Sequence, residues 1–78
     1  MSGYIDKNVK KFCIRLGFRI RELRLKNKLS QESLAKKSQV SRSSITQIEG
    51  GVQNPTLFNV LKIAKVLKVP IDDLIKDF

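Results

Sequence analysis

The side chains best suited to do chemistry in this sequence lie in one stretch, from Ser30 to Glu49. Its second half carries Arg42, Ser43, Thr46 and Gln47, which fall on or beside one face of a helix because successive helical residues are rotated by about 100°. These residue types offer the hydrogen-bond donors and acceptors that match base edges in the major groove of DNA. They are equally typical of an ordinary solvated helix surface, so this stretch alone leaves both interpretations open.

Two short helices joined by a tight turn are predicted to hold these side chains. Ser30 is a good N-cap for a helix over residues 31–38, and Ser41 for a second helix from Arg42 to about Glu49. A serine hydroxyl in that position can accept a hydrogen bond from an amide of the first turn. Ile45 and Ile48 then fall on the inner face of the second helix, away from the polar side chains.

Helical periodicity predicts three further helices, so the expected fold class is all-α with five helices. The first runs from about residue 7 to 26, the fourth from Leu57 to Lys68 after the cap Thr56, and the last from Ile71 to Phe78. Residues 1–6 show no periodicity and are expected to form a flexible tail, leaving one domain over residues 7–78.

The first, fourth and last predicted helices each carry residues that indicate which surfaces they bury. Gly17 in the middle of the first helix indicates that a neighbouring helix approaches closely there. The fourth helix is predicted to bury one side, made of Leu57, Val60, Leu61, Ala64 and Leu67, with Ile63 and Val66 widening it. The last helix is too short to bury all of its apolar residues: Ile71 and Leu74 are expected to turn inward, and a dimer interface is assigned to Ile75, Phe78 and Leu74.

The net charge of +9 is unevenly distributed along the chain. Residues 1–51 contain 12 basic and 4 acidic side chains, whereas residues 52–78 contain 4 and 3. Solubility alone would explain a high charge but not this asymmetry. The distribution favours one side that faces a polyanion and another that is free for self-association.

Composition also excludes several kinds of function. The chain has no histidine and one cysteine, so within one chain a disulfide framework, a zinc finger and a Cys–His catalytic pair are excluded. Its carboxylates form no cluster for acid–base catalysis. We therefore expect no enzyme activity, no catalytic residues, no metal, no cofactor and no small-molecule ligand. No signal peptide or membrane-spanning run is visible, which predicts a cytoplasmic, nucleoid-associated protein without a membrane partner.

From about Leu16 to Leu74 the sequence resembles the lambda-repressor/Cro type (Xre-like) helix-turn-helix family, with the helix-turn-helix as helices 2 and 3. The order and spacing of many short pieces carry this resemblance: Gly17, Ile20-Arg21-Glu22-Leu23-Arg24, Leu29-Ser30-Gln31-Glu32, Leu34-Ala35, Val40-Ser41-Arg42, Ile45, Ile48-Glu49-Gly50-Gly51, Asn54-Pro55-Thr56-Leu57, Leu61-Lys62-Ile63-Ala64 and Leu67-Lys68-Val69-Pro70. The sequence departs from the family at Gln39, Lys28 and Lys68, where glycine is common. At Gln39, either a non-glycine residue adopts a positive φ or the turn differs.

The resemblance implies roles for particular residues. Contacts to DNA bases are assigned to Arg42, Ser43, Thr46 and Gln47. Contacts to the DNA backbone are assigned to Gln31, Ser41, Asn54 and Thr56. Arg24 and Glu49 match a pair that is salt-bridged in some family members, where it would fix the angle of the third helix.

The expected function is that of a sequence-specific regulator of transcription. A homodimer joined through its last helix would bind double-stranded DNA at a near-palindromic operator and act as a repressor or controller. The length and the turn without glycine favour the restriction–modification controllers over phage repressors and antitoxins. The alternative is a protein-interaction module, such as an antitoxin, that acts mainly through a protein partner.

Overall fold

The chain folds into five α-helices in a computed structural model that describes residues 7–52 and 55–75. The helices are α1 (Lys7–Lys26), α2 (Gln31–Ser38), α3 (Arg42–Glu49), α4 (Leu57–Leu67) and α5 (Ile71–Ile75). No strand occurs in those two ranges, so the predicted all-α class is confirmed. Residues 1–6, expected to form a tail, and the predicted end of the last helix at 76–78 lie outside the described ranges.

The predicted N-caps all act as caps. The hydroxyl of Ser30 accepts a hydrogen bond from the backbone N–H of Ser33 at 2.9 Å, and that of Ser41 from Ser44 at 3.1 Å. Thr56 accepts from the N–H of Asn59 at 3.0 Å, which starts α4. Each bond satisfies an amide that would otherwise lack a partner in the first helical turn and contributes about 1 kcal/mol.

Within the described ranges, α1, α2 and α4 are each followed within two residues by a non-glycine residue with positive φ. Lys28, Gln39 and Lys68 have φ values of 59°, 60° and 61°. The residue after each one donates its N–H back to the carbonyl five residues earlier, as in Val40 N–H to Ala35 O at 3.2 Å. Because Val40 is buried and its counterparts after Lys28 and Lys68 pack against the core, their anchoring outweighs the backbone cost.

One core joins all five helices. Its fully buried side chains are Leu16 and Ile20 of α1, Leu34 of α2, Ile45 and Ile48 of α3, Ile63 and Leu67 of α4, and Leu74 of α5. Helix α3 packs between α1 and α2, α4 packs on α2, and α5 closes against α1 and α4. Helix α3 is thereby held from two sides, with its third side turned outward.

The buried face of α4 differs from the prediction. Leu57 and Leu61 are 66% and 45% exposed, whereas Val60, Ile63 and Ala64 are buried. The prediction of an inward Leu57 and Leu61 was wrong because apolar residues occupy more than half of this helix, so periodicity alone could not select the face. The positions of α2 and α5 select the face that contains Ile63.

Leu74 also requires a correction. Its side chain is 1% exposed and lies in the core between α1 and α4, so it leaves no surface for a second subunit to contact. The neighbouring Ile75 is 37% exposed, as expected, and Phe78 lies outside the described residues. Helix α5 is also tied to α1 by a hydrogen bond from Arg19 Nε to the carbonyl of Asp73 at 2.8 Å.

Candidate nucleic-acid interface

A buried ion pair connects α1 to the end of α3. Arg24 Nε and Nη2 donate to the two carboxylate oxygens of Glu49 at 2.6 and 3.1 Å, and Nη1 donates to the carbonyl of Leu29 at 2.8 Å. The two side chains are 9% and 4% exposed. A two-point contact between a planar guanidinium and a carboxylate restricts both distance and angle. The pair therefore fixes how the last turn of α3 lies against α1.

Gly17 allows the backbones of α1 and α3 to approach each other closely. A Cβ placed on Gly17 would lie 2.2 Å from the carbonyl oxygen of Ile48 and 2.8 Å from that of Glu49. Both are backbone atoms, which cannot rotate away as a side chain would. The predicted close approach at Gly17 is thus confirmed, and the helix that approaches is α3.

Gln31 extends the ion pair to the surface. Its Nε2 donates to Glu49 Oε1 at 3.1 Å, and its Oε1 accepts the hydroxyl hydrogen of Thr46 at 2.9 Å. Because a carboxylate can only accept, Glu49 sets the orientation of the amide, and the amide in turn sets the Thr46 hydroxyl. A continuous hydrogen-bonded network therefore runs from Arg24 in the interior to Thr46 on the outer face of α3.

The outer face of α3 carries the residues predicted to contact bases. Arg42, Ser43, Thr46 and Gln47 are all exposed, while Ile45 on the opposite face is 0% exposed. In the ranges 7–52 and 55–75, the side chains of Arg42, Ser43 and Gln47 have no hydrogen-bonding protein partner, and only Thr46 is held, by Gln31. We call these four residues the outer row of α3. Their contact with DNA stays a prediction.

Three of the four residues predicted to contact the DNA backbone lie at helix starts. Gln31 begins α2 and is half-buried beside the outer row. Ser41 and Thr56 are exposed, and their hydroxyls are occupied by the caps of α3 and α4. Asn54 lies outside the described residues.

Arg21 is a candidate to which the sequence assigned no role. It lines a shallow recess of about 240 Å³ at the junction of α1, α2 and α3, together with Arg24, Gln31, Thr46, Glu49 and Gly50. The signal in the sequence was its spacing: Arg21 precedes Arg24 by three residues, which places both on one side of α1. Many other basic residues lie on α1, so this spacing was not distinctive without the fold.

Two further properties follow from the described part of the chain. In residues 7–52 and 55–75, no group of His, Cys, Asp or Glu side chains could hold a metal ion. None of the helices found there is long and apolar enough to cross a membrane.

A capped helix pair, with its second helix held by two neighbours and presenting a polar outer face, defines a helix-turn-helix domain. Residues 20–74 match the family model HTH_3, described as helix-turn-helix, and the chain belongs to this family. The predicted Xre-like family is thereby confirmed. The family consists of transcriptional regulators and not of enzymes.

Particular relatives agree with this class. The chain is 48% identical over 56 residues to an uncharacterised HTH-type transcriptional regulator of Archaeoglobus fulgidus, covering 72% of this chain and 80% of that protein. It is 42% identical over 60 residues to the control protein C.BamHI of Bacillus amyloliquefaciens, covering 76% and 74%. Its fold is similar to that of the restriction-modification controller protein C.AhdI from Aeromonas hydrophila, with a TM-score of 0.78 and 40% identity over 80% of this chain and 94% of that one.

Proposed function

We propose that this protein is a sequence-specific double-stranded DNA-binding regulator of transcription that uses α3 to read the major groove. The observation that carries the proposal is the outer row of α3. Its side chains are exposed on a helix whose opposite face is buried and whose end is fixed by the Arg24–Glu49 pair. Side chains held on a rigid element can match a pattern of base edges, whereas those on a mobile surface cannot do so reproducibly.

The chemistry of the outer row suits base recognition. The guanidinium of Arg42 can donate two hydrogen bonds to the O6 and N7 atoms of guanine, and the amide of Gln47 can pair with N6 and N7 of adenine. Ser43 and the oxygen of Thr46 can contact several bases. The net charge of +9 supplies attraction to the phosphate backbone that does not depend on sequence.

A homodimer at a near-palindromic operator is the arrangement we propose. Two copies related by a two-fold axis would place their α3 helices about 34 Å apart, one helical turn of DNA. Apolar side chains left exposed on the two last helices, Leu57, Phe58, Leu61 and Ile75, support self-association because a second copy could cover them. The similarity to two control proteins supports a repressor or controller role, and a DNA partner would place the protein in the cytoplasm at the nucleoid.

The test of DNA reading begins with selection of bound sites from random duplexes, followed by measurement of Arg42→Ala on the selected site. We expect the substitution to weaken binding by about 1–3 kcal/mol and to relax the preference at one base pair, because the guanine contact is lost. Lys65→Ala is the matched control: Lys65 is an exposed cation on α4, outside the helix pair. Equal losses for Arg42→Ala on selected and random duplexes would contradict a base-reading role.

The dimer has its own test. We expect Ile75→Lys to shift the protein from dimer to monomer in sedimentation or sizing experiments, because a charge would enter the apolar interface. Phe18→Lys is the matched control, because it introduces the same charge at an apolar side chain of α1 that is 61% exposed. We expect this variant to remain a dimer. If the Ile75→Lys variant remained a dimer, the proposal that α5 forms the dimer interface would be contradicted.

The second candidate, a protein-interaction module, is favoured by the exposure of Phe58 and Leu57, which are 68% and 66% exposed on α4. It predicts weak DNA affinity that does not depend on sequence. The DNA-reading proposal instead predicts a specificity ratio of at least ~10³ between selected and random duplexes. Measurement of that ratio on the wild-type protein separates the two.

A further inference from the structure

Lys62 reaches from α4 to the turn that joins α2 to α3. Its ammonium group donates a hydrogen bond to the carbonyl oxygen of Gln39 at 3.3 Å. Gln39 ends α2 with a φ of 60°, and its carbonyl belongs to the peptide group that leads into Val40. A cation is favourable there because the carbonyl groups at the C-terminal end of a helix carry a partial negative charge. Lys62 therefore holds the peptide group at which the chain turns from α2 towards α3.

This turn determines where α3 begins. Val40 is 5% exposed, and its N–H donates to the carbonyl of Ala35 at 3.2 Å. Ser41 follows as the cap of α3, and Arg42 of the outer row is the next residue. The ion pair to α1 fixes the far end of α3. The start of α3, and with it the direction of Arg42, depends on how firmly the turn is held.

The same ammonium group also lies over an aromatic ring on the surface of α4. Lys62 Nζ is 4.7 Å from the centre of the Phe58 ring, within the distance at which a cation is attracted to the face of a ring. Phe58 is 68% exposed, and it belongs to the apolar surface that we propose a second copy covers. Lys62, itself half-buried, thus contacts the proposed dimer surface on one side and the turn before α3 on the other.

We propose that Lys62 is a positioning residue that couples formation of the dimer to the placement of α3. This inference rests on the proposed function. A second copy that covers Phe58 removes water from around the ammonium group, and both contacts of that group strengthen where water is excluded. For a cation over a ring, the gain corresponds to about a fivefold to tenfold change in the equilibrium for the contact. The turn is therefore held more firmly in the dimer than in the monomer, and Arg42 keeps one direction.

Amide hydrogen exchange tests the coupling without DNA. The N–H groups of Val40 and Leu29 each follow a residue with positive φ and bond to the carbonyl five residues earlier, but Lys62 bonds to the turn before Val40. In the wild type, we expect dimerisation to slow exchange at Val40 by about fivefold to tenfold relative to Leu29, a ratio that cancels any gain in global stability. In Lys62→Met the ratio should be the same for the dimer and for monomer obtained by dilution. A wild-type ratio that does not change on dimerisation, or that changes equally in Lys62→Met, would overturn the proposal.

DNA binding provides the second measurement. Lys62→Met should lower the ratio of affinities for selected and random duplexes by about fivefold to tenfold, because Arg42 loses its fixed direction. Lys62→Arg keeps a cation with N–H donors and should retain most of the ratio. Lys65→Met is the matched control: Lys65 is an exposed cation of α4, and its loss should leave the ratio unchanged. If Lys62→Met weakened both duplexes equally and lowered the slope of log K against log salt concentration by about 0.9 per subunit, Lys62 would contact a phosphate directly and the proposal would be overturned.

These outcomes separate the role of Lys62 from the proposed function. A wild-type protein that binds selected and random duplexes equally contradicts base reading by the outer row, while the exchange measurement still decides the coupling. A wild-type protein that stays monomeric contradicts the proposed dimer and the coupling together. A wild-type protein that dimerises and discriminates between duplexes, but whose exchange at Val40 does not respond to dimerisation, contradicts only the role of Lys62.

Discussion

Replacement of Arg24 by methionine is expected to lower the free energy of unfolding by about 3–5 kcal/mol. The carboxylate of Glu49 is 4% exposed and would lose both hydrogen bonds from the guanidinium together with its opposite charge. Its remaining side-chain partner would be Gln31. A buried charge without compensation is among the costliest defects that a single substitution can cause. Urea unfolding of Arg24→Met beside the wild type measures the difference as a shift in midpoint at constant slope.

The double variant Arg24→Met, Glu49→Gln is the control for this prediction. It removes both charges, while an amide at position 49 can still accept a hydrogen bond from Gln31. We therefore expect the double variant to recover more than half of the loss. A cost below about 1 kcal/mol for Arg24→Met alone would show that the pair behaves like a solvent-exposed ion pair.

The same substitution has a functional consequence. Without Arg24 the carboxylate of Glu49 is free to turn away from Gln31, and the hydrogen bonds that orient Gln31 and Thr46 are weakened. If α3 reads DNA as proposed, affinity for the selected site should fall more than affinity for random duplexes. Binding measured well below the unfolding midpoint separates this effect from loss of folded protein.

Replacement of Gly17 by alanine is expected to lower the free energy of unfolding by about 3 kcal/mol. Glycine to alanine in a helix interior ordinarily stabilises the helix by about 1 kcal/mol. We therefore expect the free energy of unfolding to change in the direction opposite to the one that helix propensity predicts. The cause is the added methyl group, which would lie 2.2 Å from the carbonyl oxygen of Ile48 and force α1 and α3 apart. Overpacking of this kind typically costs 1–3 kcal/mol, and more where backbone has to move.

Gly50→Ala is the matched control for Gly17→Ala. Gly50 has a φ of −82°, and a Cβ there would lie 3.3 Å from its nearest neighbour, the carbonyl oxygen of Thr46. We expect its effect to stay within about 1 kcal/mol of the wild type, because only a small adjustment is required. If Gly17→Ala raised the thermal midpoint as a simple gain in helix propensity would, the close contact between α1 and α3 would be contradicted.

The sequence by itself determined the local features of this protein. Caps, breaks and periodicity placed all five helices, with α2 and α3 at their observed limits, because each of these signals acts over one or two helical turns. Gly17 indicated a close contact for an equally local reason, since a glycine in a helix interior is unfavourable unless a neighbour requires it. The family resemblance added Arg24 and Glu49, 25 residues apart in sequence, which no local signal connects.

Tertiary structure alone decided what depends on neighbouring elements. It selected the buried face of α4, so that Leu57 and Leu61 are exposed in spite of their spacing. It also gave the positive φ after α1 to Lys28 and not to Asn27, although asparagine tolerates that conformation better than lysine. It also joined Gln31 to both Glu49 and Thr46 and brought Arg21 to the same junction of α1, α2 and α3. Burial and hydrogen bonding between helices depend on which surfaces meet, and that is set by the packing of the whole chain and not by any one stretch of it.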